Sequence, residues 1–258
     1  MPFFIWENKM RYKITIEYDG TNILGWQRQI DGPSVQEYLE NAVSLLQNNS
    51  KELVQIQGAG RTDAGVHALA QVAHFDLERD IECWKLRDAI NFHLREQNAP
   101  VVVLHVEEAP QEFNARFSAQ GRGYIYKILN RRAPSILEQN RVWWVPVELD
   151  VEKMRQGAKY LLGNHDFSSF RAAACQAKSP IKTLDKIDIS QHGEEIIFEV
   201  EARSFLHHQV RNIVGTLKMV GDGHLQPDDV KKILEAKDRK AAGPTAPACG
   251  LYLSKVWY

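Results

Sequence analysis

The chain has 258 residues, 44% of them apolar and 25% charged, the make-up of a folded globular protein of one large or two ordinary domains. No apolar run approaches the roughly 18 residues of a membrane helix, and the opening MPFFIWENKM lacks the basic start of a signal peptide. Cys83, Cys175 and Cys249 are too few and too scattered for a disulfide framework or a zinc knuckle, so a reducing, cytoplasmic setting is expected.

In chain order, Arg11 to Tyr18 alternates apolar and polar residues and predicts a strand. After a turn-rich stretch, Ser34-Val35-Gln36-Glu37 reads as a capping box, opening a helix with Tyr38, Leu39, Ala42, Val43, Leu45 and Leu46 at helical spacing. Leu53 to Gln57 and Ala70 to Leu77 read as strands on either side of the loop GAGRTDAGV. A helix over Lys85 to Leu94 and a strand at Val101 to Val106 follow. The second half repeats this grammar loosely. It has a strand at Tyr124 to Leu129 and a helix over Val151 to Leu162, capped by Asp150 and stopped by Gly163. A hairpin of Lys182 to Ser190 with Glu195 to Glu201, a helix over Gln209 to Val220 and a strand at Leu251 to Trp257 complete it. Strands and helices without regular βα alternation predict an α+β fold with a mainly antiparallel sheet. The Ala109-Pro110 break divides an extension of residues 1–9, a domain of 10–109 and a domain of 110–258.

The net charge of −1 hides an asymmetry: residues 1–110 hold 10 Lys/Arg against 16 Asp/Glu, and residues 111–258 hold 22 against 17. Between Ala115 and Arg141 lie Arg116, Arg122, Lys127, Arg131, Arg132 and Arg141, with Glu138 the lone acid. Such a stretch is either a solvated basic face or a surface for a polyanion, since phosphate contacts act within a Debye length of about 8–10 Å. Gly60 to Gly65 has the glycine spacing of a phosphate-binding loop, but Val66-His67 follows instead of Lys-Ser/Thr, which excludes a nucleotide triphosphatase. Gly58-Ala59-Gly60 lacks the third glycine of a dinucleotide fingerprint, and Asp63 would repel a pyrophosphate. There is no HExxH, CxxC or Gly-x-Ser-x-Gly. His207 and His208, as sequence neighbours, are expected to point apart and not to share an ion. The loop Gly60-Arg61-Thr62-Asp63-Ala64-Gly65-Val66 is left. It is either a turn with a local ion pair or a tight loop presenting a carboxylate nucleophile, and spacing alone leaves both open.

GRTDAGVHA resembles the signature of the TruA family of tRNA pseudouridine synthases. Tyr18-Asp19-Gly20-Thr21 with Gly25-Trp26-Gln27, and FNARFSA (Phe113 to Ala119) with Arg122 and Tyr124, resemble further motifs of that family. So do Asp166 to Arg171, SFLHHQVRNIVGTL (Ser204 to Leu217) and Gly250-Leu251-Tyr252-Leu253, all in the family's order. The resemblance runs along nearly the whole chain from Arg11. It implies two RRM-like, ferredoxin-like domains joined in one extended sheet with a central active-site cleft, and a homodimer holding tRNA across both subunits. The implied reaction is the isomerisation of uridine to pseudouridine at positions 38, 39 and 40 of the anticodon stem-loop.

By motif match, Asp63 is the essential carboxylate, Arg211 the basic residue paired with it, and Tyr124 the ring that stacks on the target base. Arg61 takes the place of the flipped base, and Leu251 lies beneath the uracil. Read without the resemblance, Arg211 is a residue of an amphipathic helix, and Tyr124 and Tyr126 are packing residues of one strand face. The basic segment, through Arg122, Arg131 and Arg132 with Lys178 and Lys182, becomes the RNA-facing surface that offsets the cost of everting a base. An isomerisation needs no metal, nucleotide or other cofactor. Two rivals stand: a tRNA-binding or folding module without catalysis, and a nucleoside glycosidase, for which no second carboxylate is visible. The chain departs from the family at Ile23, where an aromatic is usual, and at Leu94-Arg95-Glu96-Gln97, where a Leu-Pro-x-Asp-like segment is usual.

Overall fold

The computed structural model describes residues 9–47 and 52–258, so Phe3, Phe4, Ile5 and Trp6 of the expected extension lie outside the described residues. The chain divides into two units, one ending at Ala119 and including Tyr258, the other running Gln120–Trp257. The Ala109-Pro110 break falls inside the first unit. The residues after it are bonded back to that unit's strands: Arg11 Nη1 donates to Phe113 O at 2.8 Å, and Ala115 N donates to His74 Nδ1 at 3.2 Å.

In the first unit, Met10–Tyr18 forms β1, and its alternate residues Tyr12, Ile14, Ile16 and Tyr18 are buried as a period of two requires. Helix α1 (Val35–Ser44) starts where Ser34 Oγ accepts from Glu37 N at 3.2 Å, the expected cap. Gln57–Gly58 is β2, His67–Leu77 is β3, Cys83–Glu96 is α2 and Val101–Ala109 is β4. β1 lies between β3 and β4, antiparallel to both, and β2 pairs with β3 on the side away from β1. The chain order βαββαβ with sheet order β4-β1-β3-β2 is ferredoxin-like. The core is Tyr12, Ile14, Ile16, Leu39, Phe75, Leu86 and Ile90, none more than 1% exposed. One expected strand is corrected: of Leu53 to Gln57, only Gln57 is in a strand. Val54 and Ile56 are buried, but their amides donate to the side chains of Ser44 and Glu40, which do the work a neighbouring strand would do.

The second unit uses the same plan. β5 (Gly121–Asn130) is flanked by β10 (Leu251–Trp257) and β9 (Glu195–Ala202), and β9 by β8 (Ile181–His192), all antiparallel. With α3 (Val151–Ala158) between β5 and β8, and α4 (Gln209–Gly221) between β9 and β10, the order β10-β5-β9-β8 matches that of the first unit. Three elements escape the sequence reading: β6 (Trp143–Val145), parallel to the end of β5; β7 (Gly163–Asp166), paired with β8; and α5 (Asp229–Ala236). Asp150 caps α3 as expected, through its carboxylate and Lys153 N. That helix ends at Ala158, four residues early, in a 3-10 turn over Lys159–Leu161, and Gly163 takes φ +94°. Helix α4 is nearly enclosed, with Ile213, Val214, Leu217 and Val220 at 0% exposure.

Candidate active site

The loop 59–66 joins β2 to β3 and is held at almost every residue. Ala59 N donates to Val72 O at 2.7 Å, and the buried Gln71 donates to Gly60 O at 2.9 Å. Thr62 is the anchor: its hydroxyl meets the Tyr18 hydroxyl at 2.8 Å, and its carbonyl accepts from Trp26 N at 3.1 Å. Thr62 is therefore buried, and its neighbours Arg61 and Asp63 are turned outward, Arg61 exposed and Asp63 half-buried. The segment from Tyr18 to Trp26 is the mould for this loop. A Cβ on Gly25, whose φ is +93°, would come within 2.4 Å of Thr62 O, and one on Gly20 within 2.2 Å of Val66 O. His67, which follows the loop and is buried, accepts from Gly20 N at 2.9 Å through Nδ1.

The second unit carries the other candidate residues. Tyr124, half-buried near the start of β5, meets the Phe205 ring edge-on with centroids 5.1 Å apart. Tyr126 shares its face but is enclosed, donates to Pro247 O at 2.8 Å, and has its phenol pushed well above the usual value by burial. Only Tyr124 of the pair can therefore present a ring to a ligand. Leu251 opens β10 opposite Tyr126, and Leu253 lies opposite Tyr124. Arg211, in the first turn of α4, donates through Nε to Ala246 O at 2.8 Å, and its own carbonyl accepts from Ala246 N at 3.1 Å. Asn212 and Thr245 extend this clamp at 2.7 Å, and Arg239 donates to both at 3.1 Å. The expectation that His207 and His208 diverge is overturned. His208 takes a left-handed backbone, φ +62°, which folds the two rings to 4.0 Å between centroids.

A sequence model of the family described as tRNA pseudouridine synthase matches residues 14–118 and 158–258. The chain belongs to the tRNA pseudouridine synthase family. Among similar proteins of this pseudouridine synthase family, the tRNA pseudouridine synthase A of Paramagnetospirillum magneticum is 58% identical over 96% of this chain and 95% of its own. Those of Rhodospirillum centenum and Rhizobium meliloti are 56% and 52% identical, each over 96% of this chain and 99% of theirs. A solved structure, of a Cbf5-Nop10-Gar1 complex, aligns with 94% of the chain and 49% of its own at 12% identity and a TM-score of 0.38, too slight a likeness to carry argument.

Asp63, Arg61, Arg211, Leu251 and Lys178 fall within the spans matched to the pseudouridine synthase family, whereas Arg122, Tyr124, Arg131 and Arg132 fall in the interval between them. Arg122 donates to Arg203 O at 2.8 Å, beside Tyr124 on β5. Arg131 and Arg132 follow the other end of that strand, roughly 20 Å along it from Tyr124. Arg131 is committed to its own loop: it donates to Ala133 O and Pro134 O and pairs with Glu194 at 3.0 Å. Arg132 and Lys178 are exposed. Motif reading in this pseudouridine synthase misses Tyr18, Thr62, Phe205 and Asn212 as supports, although all four lie inside quoted motifs. Arg239 and Thr245 lie outside every motif, and no pattern in the chain marks them.

Proposed function

We propose that this protein isomerises uridine to pseudouridine in the anticodon stem-loop of tRNA, at positions 38, 39 and 40, with Asp63 as the catalytic carboxylate. The observation that carries the reading is the loop around Asp63. Its backbone is locked through Thr62, Tyr18 and Gly25, and the carboxylate is neither sealed nor fully solvated. A fixed carboxylate loses little on reaching the geometry of reaction. The names of the curated relatives point the same way.

In the reaction the N1–C1′ bond of the uridine breaks, the uracil turns within the site, C5 bonds to C1′, and the C5 proton leaves as N1 gains one. Atoms balance with no oxidant, reductant or added group, so no cofactor is called for. Asp63 acts on the everted nucleotide, with Arg211 as its basic partner by motif match. The bond from Arg211 Nε to Ala246 O supports that role, because it fixes the plane of the guanidinium. Tyr124, steadied by Phe205, offers a ring to the uracil, Leu251 lies under the base, and Arg61 fills the gap left in the stem. Arg122, Arg132 and Lys178 form the RNA-facing surface, with Arg131 shaping the loop that bears Arg132. The working form is a cytoplasmic homodimer that holds one tRNA across both subunits.

Tritium release from tRNA carrying 5-³H-uridine tests the reading. Release by the parent protein and none by Asp63→Ala is the expected result. Retained binding without release by the parent identifies a binding module instead, and free uracil identifies a glycosidase. Light scattering at twice the chain mass checks the dimer; a monomer bound to tRNA overturns it.

A further inference from the structure

Phe117 is 81% exposed, in the turn over residues 115–117. Lone apolar residues on a surface are ordinary, and Ile30, Ile136 and Leu137 are also well exposed here. Phe117 differs in how firmly its turn is held. Asn114 Oδ1 accepts from the amides of both Arg116 and Phe117 at 3.0 Å, and Asn114 Nδ2 donates to Gln57 Oε1 at 2.9 Å. Ser118 closes the turn on both sides of Asn114, donating its amide to Asn114 O and accepting from Asn114 N through Oγ. Ala115 is held through its amide by His74 Nδ1 and through its carbonyl by the Tyr258 hydroxyl at 2.8 Å. The Phe113 ring packs against Tyr258 and His74, with centroids at 4.9 and 5.9 Å. Finally, the Arg116 guanidinium lies 5.8 Å from the Phe117 ring centroid.

A rigid turn presenting an aromatic ring with a cation against it suits one class of ligand. A planar, electron-rich group beside an anionic backbone gains from the ring by stacking and from the guanidinium by charge. Because the turn is already ordered, little entropy is lost when the ligand arrives. We propose that Phe117, with Arg116, is a stacking platform for an unstacked nucleobase of the bound tRNA. The platform is separate from the residues assigned above to the target uridine, and it rests on tRNA being the substrate.

The test uses the full-length protein and unmodified tRNA transcript. Phe117→Ala should weaken tRNA binding about tenfold, with a salt dependence parallel to that of the parent, since no phosphate contact is removed. Phe117→Trp should bind at least as tightly as the parent, and its emission, taken against the parent's, should be quenched by tRNA. Unchanged affinity in Phe117→Ala, or emission of Phe117→Trp indifferent to bound tRNA, overturns the platform while leaving the tritium-release result standing. A parent protein that binds no tRNA overturns the functional reading itself, and the platform with it.

Discussion

Thr62 shows how one buried side chain can set the direction of the two beside it. Its hydroxyl is bonded to Tyr18, so its side chain faces in and those on either side face out. Tyr18→Phe keeps the ring and removes that bond, leaving the buried Thr62 hydroxyl short of a partner at a cost of about 1–3 kcal/mol. The expected result is a lowered kcat with KM little changed and a thermal midpoint down by a few degrees; equal kcat in the variant would show that the bond does not orient Asp63. His74 makes a second residue-scale case. Burial, reinforced by the nearby Arg11, lowers its pKa against the opposing pull of Asp76 and of its backbone bond to Gln57. The neutral ring accepts from Ala115 N. A depressed pKa means that this contribution is whole above the unfolded value, near 6.5, and is lost as the pH falls through the folded value. Proton NMR should therefore place the His74 titration midpoint below 6.5, and a midpoint above that value would contradict the bond.

Among the elements, α4 and the strap 239–246 are fitted backbone to backbone. A Cβ on Gly215 would sit 1.8 Å from Pro244 O, backbone against backbone, so Gly215→Ala must push the strap off the helix. The cost should be about 3 kcal/mol, read as a fall in thermal midpoint of roughly 10 °C. Tritium release should fall too, because Ala246, which fixes Arg211, is on the moving segment. Elements also show what periodicity reports. Alternation in β1 and in Leu53 to Gln57 announces burial equally well, but it is blind to whether the amides meet a strand or the side chains of Ser44 and Glu40. Helix α5 did have a signal, Val230, Ile233 and Leu234 at helical spacing and all buried, in a segment only eight residues long. In the same way Asp63 is legible because its motif is contiguous. The Arg239–Asn212–Thr245 clamp is not, because it joins residues distant in sequence through hydrogen bonds that leave no periodic trace.

On the scale of the whole molecule, one βαββαβ plan is used twice with opposite charge balance, acidic in the half that carries the Asp63 loop and basic in the half that carries Arg122, Arg131 and Arg132. Four lowered carboxyls that bear on acid stability lie in the second unit. Hydrogen bonds from Lys153 to Asp150, from Ser168 to Asp166 and from Lys232 to Asp229 hold those groups below the usual carboxylate range. Burial pushes Asp222 upward, but bonds from Lys218 and His224 outweigh it. Groups lowered by folding stabilise above their unfolded pKa, near 3.9, and that stability is lost as the pH falls through the folded values. The thermal midpoint should therefore drop on acidification below about pH 4, and less steeply in Asp222→Asn, as calorimetry across that range will show.

Among the described residues of the first unit, β4 is paired on one side only, by β1, and it carries the exposed apolar residues Val102 and Leu104. A border of that kind invites a second molecule to zip on, which ends in aggregation. The later part of the strand guards against this, since His105, Glu107 and Glu108 are exposed there. An added strand would bring like charges together or strip water from them. Engineering that trims those acids for a smoother surface trades away colloidal stability.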